Sequence, residues 1–415
     1  MTSACTRTAE ATGYSGFLVS LLTSPPLSLY VHLPWCVRKC PYCDFNSYTL
    51  RETLPEGQYI AALERDLEAQ AAEVHGRPVV SIFFGGGTPS LFAPEAIGRV
   101  LEAARRHLSV AADAEVTLEA NPGTIERGRF SGYRDAGVNR VSLGAQSFDA
   151  AKLETLGRIH SPQDTARAVE ELHATGLSNF NLDLMYALPG QDVAGAASDV
   201  DQALALAPAH ISHYQLTLEP GTPFGAMPPP ALPADDATSD MLNACQERFS
   251  RAGFAQYEVS AYASADRQCR HNLNYWTFGD YVGVGAGAHG KLTSAAAGTI
   301  VRTTQQREPR RYQAGSPRAI ARTAVASRDL PFEFMMNALR LTDGFSIATF
   351  TARTGLEWSS VERSCAALEE RGLLTVSSSD CRPTPLGLRF LNEALLKFLP
   401  EKTDLSGKRV LSTGS

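Results

Sequence analysis

From Ser28 to Leu218, short apolar runs rich in strand-forming residues alternate with longer amphipathic stretches. The runs Leu29–Leu33, Val79–Phe84, Glu115–Glu119, Arg140–Ala145, Asn179–Tyr186 and His210–Leu218 predict six strands. Between the first two, Tyr59, Leu63, Leu67 and Ala71 repeat every four residues and predict one buried helical face. Six strand–helix alternations predict parallel βαβ units. The expected fold is therefore α/β, a partial (β/α)6 barrel over residues 28–235, open on one side. In such barrels the chemistry sits where strands end and loops begin.

The pattern then changes. Pro228-Pro229-Pro230 and Pro233 read as an extended connector. A helix over Asp236–Ala252 and a strand over Tyr257–Tyr262 are expected next, with irregular chain over residues 264–325. Residues 236–328 thus read as an accessory region completing the side of the barrel. Residues 329–402 read as a C-terminal helical, winged-helix-like module. Trp358, Val361, Cys365 and Leu368 form a helical stripe, and Gly372 is its stop. Leu373–Val376 and Cys381–Arg382 flank a turn and predict a hairpin. Thr384-Pro385 caps a final helix running through Phe398. Residues 403–415 form a tail. At the other end, Phe17–Leu22 is apolar but short, and no convincing small-residue cleavage site follows it. Residues 1–27 therefore read as a flexible extension, or as the product of an upstream start codon, rather than as a signal peptide.

The chain has 415 residues, with 44 acidic and 38 basic side chains and a formal charge of −6. Net acidity argues against a protein built to bind nucleic acid, and it favours a packing or lid role for the winged-helix-like module. No apolar run is long enough to span a membrane. Three of the eight cysteines crowd into Cys36, Cys40 and Cys43 and the others are scattered. That is the pattern of a metal site in a reducing, cytoplasmic compartment, not of a disulfide framework.

The three thiolates come from one loop after the first predicted strand. Soft thiolates at this spacing suit an iron–sulfur cluster or zinc. Zinc would require a fourth ligand, for which His32 is the candidate. A [4Fe–4S] cluster would keep one iron without a protein ligand. Further along, Gly85-Gly86-Gly87-Thr88-Pro89 follows the second strand, where glycines let backbone approach a ligand closely. Glu119, Gln146, Arg158 and Asp183 all fall at or near later strand ends. Each alone is an ordinary polar residue; their shared position is what marks them.

The C-x3-C-x2-C spacing on a loop after the first strand of a (β/α) pattern resembles the radical-SAM superfamily. Over residues 28–400 the chain resembles the coproporphyrinogen-oxidase-like radical-SAM proteins. Asp44–Ser47, Gly85–Ser90, Glu119–Gly123, Gly144–Phe148 and Leu156–His160 carry the resemblance, with Asn181–Gln191, Glu219–Phe224, Arg270–Trp276 and Gly283–Gly290. It implies a radical-SAM barrel and a [4Fe–4S] cluster on Cys36, Cys40 and Cys43. The open iron of that cluster would bind S-adenosylmethionine, and one electron would cleave the C–S bond. Carried over, the S-adenosylmethionine contacts fall on Tyr30, Gly86, Gly87, Thr88, Glu119, Gln146, Arg158 and Asp183. The oxidases of this family carry a fourth cysteine two residues after the third, where this chain has Phe45. The resemblance therefore implies the haem-chaperone branch, with haem and acceptor haemoproteins, membrane-bound respiratory ones among them, as partners. A flavodoxin or ferredoxin is the implied electron donor. The alternative is oxidative decarboxylation of coproporphyrinogen III. His271 and Cys269 are the candidate haem ligands, and a structural turn over Arg270–Trp276 is the competing reading.

Overall fold

The computed structural model describes residues 22–74, 76–123, 128–315 and 321–400. The expected tail and most of the N-terminal extension lie outside them. Six strands form the centre: β1 (Leu27–Leu33), β2 (Pro78–Gly86), β3 (Ser109–Ala120), β4 (Arg140–Gln146), β5 (Phe180–Tyr186) and β6 (His210–Gln215). Each pairs in parallel with the next. Their near-continuous apolar composition follows from burial on both faces; all seven residues of β4 are buried. The main crossover helices are α1 (Glu56–Val74), α2 (Pro94–His107), α3 (Phe130–Ala136), α4 (Pro162–Ala174) and α5 (Val193–Ala205). Tyr59, Leu63 and Leu67 of α1 are buried against the sheet, with Ala71 partly buried beside them.

The sheet is wider than the sequence suggests. After α6 (Asp235–Arg251), the single strand expected over Tyr257–Tyr262 is two antiparallel strands, β7 (Ala255–Glu258) and β8 (Ala261–Ala263). They break at Val259-Ser260, where the Ser260 N–H donates to Glu258 Oε1 at 3.1 Å. Residues 264–325 are not irregular. They contain α7 (Arg270–Trp276), β9 (Asp280–Val284), β10 (His289–Ser294), β11 (Thr299–Thr304) and β12 (Ala321–Ala324). β9 lies parallel to β1 on the side away from β2, so the parallel run has seven strands. The order is β12-β11-β10-β9-β1-β2-β3-β4-β5-β6-β8-β7, and the sheet is open.

A buried charge cluster fastens this late addition. Asp280 is fully buried and accepts from Lys291 Nζ, Thr293 N and Thr293 Oγ1, each at 2.8 Å. Arg77, at the entrance to β2, donates to Asp280 Oδ2 at 2.8 Å, the oxygen that also accepts from Thr293 N. Burial pushes the Lys291 ammonium down to about 8, against the pull of Asp280.

The C-terminal region has its own core around Phe334, Phe350, Val361 and Leu368. It joins helices Leu330–Ala338, Ile347–Thr354 and Ser359–Glu370 to a hairpin of Leu374–Val376 and Asp380–Pro383. The expected last helix is broken at Phe390 into Pro385–Arg389 and Leu391–Leu395, followed by a 3-10 turn. Residues 22–26 are not a loose extension. Leu22 is buried in the C-terminal core, and the Thr23 N–H donates to Ala352 O at 2.8 Å.

Asp280→Ala leaves Lys291 buried without its carboxylate, and loss of one partner of a buried pair costs about 3–5 kcal/mol. A fall of that size in urea-unfolding stability is expected, and a change within error would show that the cluster does not hold β9.

Candidate cofactor site

The cysteine loop is clamped to the ends of β1 and β2. After β1, Trp35–Cys36 pairs in parallel with Tyr48–Thr49, which closes the loop. Gly87 N donates to Leu33 O at 2.9 Å, and Thr88 N to Trp35 O at 2.7 Å. Gly86 has φ +116°, and a Cβ there would collide with the His32 ring. A Cβ on Gly87 would lie 2.5 Å from Trp35 O. The glycines are thus required by the loop's close approach, before any ligand is considered.

Cys36, Cys40 and Cys43 line one cleft with Gly86, Gly87, Thr88, Glu119, Gln146, Arg158 and Asp183. This brings together every residue carried over for S-adenosylmethionine except Tyr30, which lines the neighbouring cavity. Among the other residues that line the cleft are Asn121 and Tyr214. Asn121 was visible in the Glu119–Gly123 motif; Tyr214, an aromatic inside a strand, carried no signal. Asn121 donates to Thr88 Oγ1 at 2.8 Å and accepts from Arg158. Arg158 also donates to Gly144 O at 3.1 Å and approaches Cys40 Sγ at 3.7 Å.

The opposite wall is acidic. Burial, and then the charge of Asp183, push Glu119 up to about 8, although it accepts from the Gly86 N–H at 3.2 Å. Asp183 is also raised by burial; Asn181 and Ser142 donate to it at 2.8 and 3.2 Å and oppose that rise.

A second cavity of about 540 Å³ adjoins the cleft and shares Phe45, Gly86 and Glu119 with it. Tyr30, Tyr275 and Tyr281 supply its other aromatic walls, and His289 and Arg307 also line it. Phe45 is 61% exposed. The two candidate haem ligands do not line either space. Cys269 is fully buried and its thiol donates to Glu115 at 3.5 Å. His271 is 2% exposed, with Nδ1 3.0 Å from Ser81 Oγ and Nε2 unpartnered. Its ring packs on Phe83 and Tyr275, at 4.9 and 5.1 Å between centroids.

Comparison with known proteins supplies the family. The Radical SAM superfamily model matches residues 30–203, and the HemN C-terminal domain model matches residues 325–390. "Heme chaperone HemW" of Escherichia coli (strain K12) is 48% identical over 377 residues, covering 91% of this chain and 99% of that protein. The chain belongs to the HemW family. "Radical S-adenosyl methionine domain-containing protein 1, mitochondrial" of Bos taurus is 36% identical, covering 90% of this chain and 87% of that one. The solved structure of Escherichia coli coproporphyrinogen III oxidase, itself described as a radical SAM enzyme, matches with TM-score 0.76. It is 22% identical over 92% of this chain and 91% of that one, a likeness of fold.

Membership of the HemW family and of the radical-SAM superfamily brings a [4Fe–4S] cluster and S-adenosylmethionine, and the residues present fit both. Three thiolates face one cleft from one loop. Zinc with His32 does not fit. Nδ1 of His32 is 3.0 Å from Tyr30 OH, and Nε2 is 3.0 Å from Asn46 O. Among the described residues no three metal-binding side chains converge on a single ion; a cubane holds its thiolates farther apart than one ion does. Two partly buried carboxylates, Asp183 eased by the charge of Arg140 and Glu119 by a backbone N–H, suit a cationic ligand. Gln146 Oε1 and Arg158 Nε are buried without partners, so the cleft holds unused polar atoms of both signs.

Cys36→Ala is expected to abolish the cluster. Arg158→Ala is expected to keep four irons per chain but to weaken S-adenosylmethionine binding, by about tenfold for a charge-assisted contact. Iron analysis and ligand titration test both; unchanged affinity in a cluster-loaded Arg158→Ala protein would refute the second.

Glu119 also predicts a pH dependence. In the cofactor-free protein it keeps its proton to about pH 8, whereas the unfolded chain releases it near the ordinary value of 4.5. The folded state binds more protons in that window, so this group lowers stability as pH rises through it. Glu119→Gln should flatten the decline, measured by urea unfolding of parent and variant across that range. Parallel pH curves would sink the assignment.

Proposed function

We propose that this protein binds haem beside its radical-SAM centre and passes it to acceptor haemoproteins, membrane-bound respiratory ones among them. The observation that carries this is the second cavity. Four aromatic side chains, Tyr30, Phe45, Tyr275 and Tyr281, offer flat apolar surface to a macrocycle, directly next to the cofactor cleft. Its volume of about 540 Å³ lies within the range of ligand pockets, about 300–1,000 Å³. The name of the Escherichia coli relative supports the same reading.

When bound, the cluster and S-adenosylmethionine supply one-electron reductive cleavage of a sulfonium bond. The chain's own residues orient the ligand. Arg158, steadied by Asn121, meets the carboxylate; Glu119 and the Gly86–Gly87 backbone meet the ammonium; Asp183 serves the ribose diol. Gln146 offers its free oxygen to the same ligand. A flavodoxin or ferredoxin supplies the electron, in the cytoplasm. Among the described residues no helix is long and apolar enough to cross a membrane.

Oxidative decarboxylation of coproporphyrinogen III is the second reading, favoured by the fold shared with the oxidase. Phe45 weighs against it. Its side chain borders both the cleft and the cavity, where a thiol could reach a substrate, and a phenyl ring can neither donate a proton nor relay an electron. The expected outcome is haem binding, followed by absorbance, without conversion of coproporphyrinogen III under anaerobic reducing conditions. Efficient formation of protoporphyrinogen IX would overturn the proposal. Phe45→Cys alone is expected not to confer turnover, since substrate positioning must differ as well.

A further inference from the structure

The polar face inside the barrel continues beyond the cofactor cleft, in side chains that do not line it. Asn181 and Asp183 are two apart on β5, and His210 and Ser212 are two apart on β6, so each pair faces one side of the sheet. The parallel register sets Asn181 beside His210 and Asp183 beside Ser212. Ser142 of β4 stands on the other side of Asn181. Of these five, Asp183 alone lines the cleft.

Their hydrogen bonds run one way. His210 is fully buried, and burial, then the charge of Arg140, holds its imidazole well below the ordinary range. It is therefore neutral, with one N–H to give. Nδ1 lies 2.6 Å from Asn181 Oδ1, which can only accept, so the proton sits on Nδ1. Nε2 then accepts from Tyr257 OH at 2.8 Å. Ser212 Oγ is 3.1 Å from the same Asn181 oxygen. With its oxygen held there, the Asn181 amide turns its NH2 to Asp183 Oδ1 and to Ser142 Oγ, each at 2.8 Å. Ser142 in turn donates to Asp183 Oδ2 at 3.2 Å. Both carboxylate oxygens are thus held by a donor from the chain. The opposite amide orientation would set an oxygen against the carboxylate.

We infer that His210 is a positioning residue for the nucleoside end of S-adenosylmethionine: through Asn181 it fixes the Asp183 carboxylate at the angle at which a ribose diol meets it. The inference rests on the assignment of Asp183 to that diol made above, and it extends the site to residues the cleft does not expose. The far end of the chain of hydrogen bonds is anchored as well. Tyr257 OH accepts from the Cys269 N–H at 3.3 Å, and the Tyr257 carbonyl accepts from Thr342 N at 3.1 Å. β7 and the C-terminal region therefore hold one end of a network whose other end lies in the cleft. A buried network with its members satisfied rigidifies them, so the direction of Asp183 is set by its neighbours rather than by its own torsions.

The test uses the full chain with its cluster reconstituted, titrated with S-adenosylmethionine and with the 2′,3′-dideoxy analogue that lacks the diol. Iron content reports that each variant is folded. The parent is expected to bind S-adenosylmethionine the more tightly. His210→Ala is expected to weaken S-adenosylmethionine binding by about tenfold, the scale of one charge-assisted contact, and to leave affinity for the analogue unchanged. His210→Asn, whose amide can donate from the place of Nδ1, is expected to restore the parent's values. Should His210→Ala fail to take up iron, Tyr257→Phe carries the same comparison: it frees Nε2 and is expected to lose affinity for S-adenosylmethionine alone. Equal losses for both ligands, or no loss for either, in a cluster-loaded variant would overturn the positioning role. A parent that binds both ligands equally would instead remove the diol assignment of Asp183, and this inference with it.

Discussion

The site depends on one close approach of backbone to backbone. The cysteine loop can lie across the ends of β1 and β2 only because nothing projects from Gly86 and Gly87. Their contacts with His32 and Trp35 fix the loop before any metal arrives, and the hydrogen bonds from Gly87 and Thr88 register it. From that fixed loop follow the direction of the three thiols and the distance at which Glu119 faces them across the cleft. Preorganisation of this kind keeps a ligand's binding energy from being spent on ordering the chain.

The wall facing the thiols stores electrostatic cost. Glu119 and Asp183 are both partly buried, and desolvation raises each, with the charge of Asp183 adding to the rise at Glu119. Structural carboxylates are ordinarily paired when buried. A cleft that sets two carboxylates together, only one of them eased by an arginine, favours a positively charged guest. Phe45 then divides this charged space from an aromatic one. One chain thus places a charged chamber and a partly aromatic one back to back, with Phe45, Gly86 and Glu119 between them.

The central six strands were legible because parallel strands covered on both sides are continuous apolar runs, and the cysteine spacing is local enough to survive as a motif. The missed part is instructive. β10 and β11 read HGKLTS and TIVRTT, where polar side chains interrupt the apolar pattern and glycines flank the strands. β9 is five residues long and finds its partner across the whole barrel at β1. No periodicity within a short window can announce a pairing of that range. The site divided in the same way. Glu119 and Gln146 stand at the strand ends that predicted them, whereas Asp183 lies in mid-strand and Arg158 follows the helix Ala150–Thr155, well past the end of β4. Cys269 and His271, adjacent in a suggestive motif, are turned inward by Glu115 and Ser81. Sequence proximity of ligating side chains says nothing about which way they face.

The pairing of β1 with β9 also orders events in time. A ribosome delivers β9 some 250 residues after β1. Domains of this size fold during and after elongation at about 5–20 residues per second, so for many seconds β1 is an open edge. The cysteine loop follows β1, and its thiols stay partly exposed even in the finished fold. None of residues 280–284 lines the cysteine cleft, so the late docking of β9 closes the edge of the sheet without shutting the metal out, and a cluster can be installed after the fold is complete.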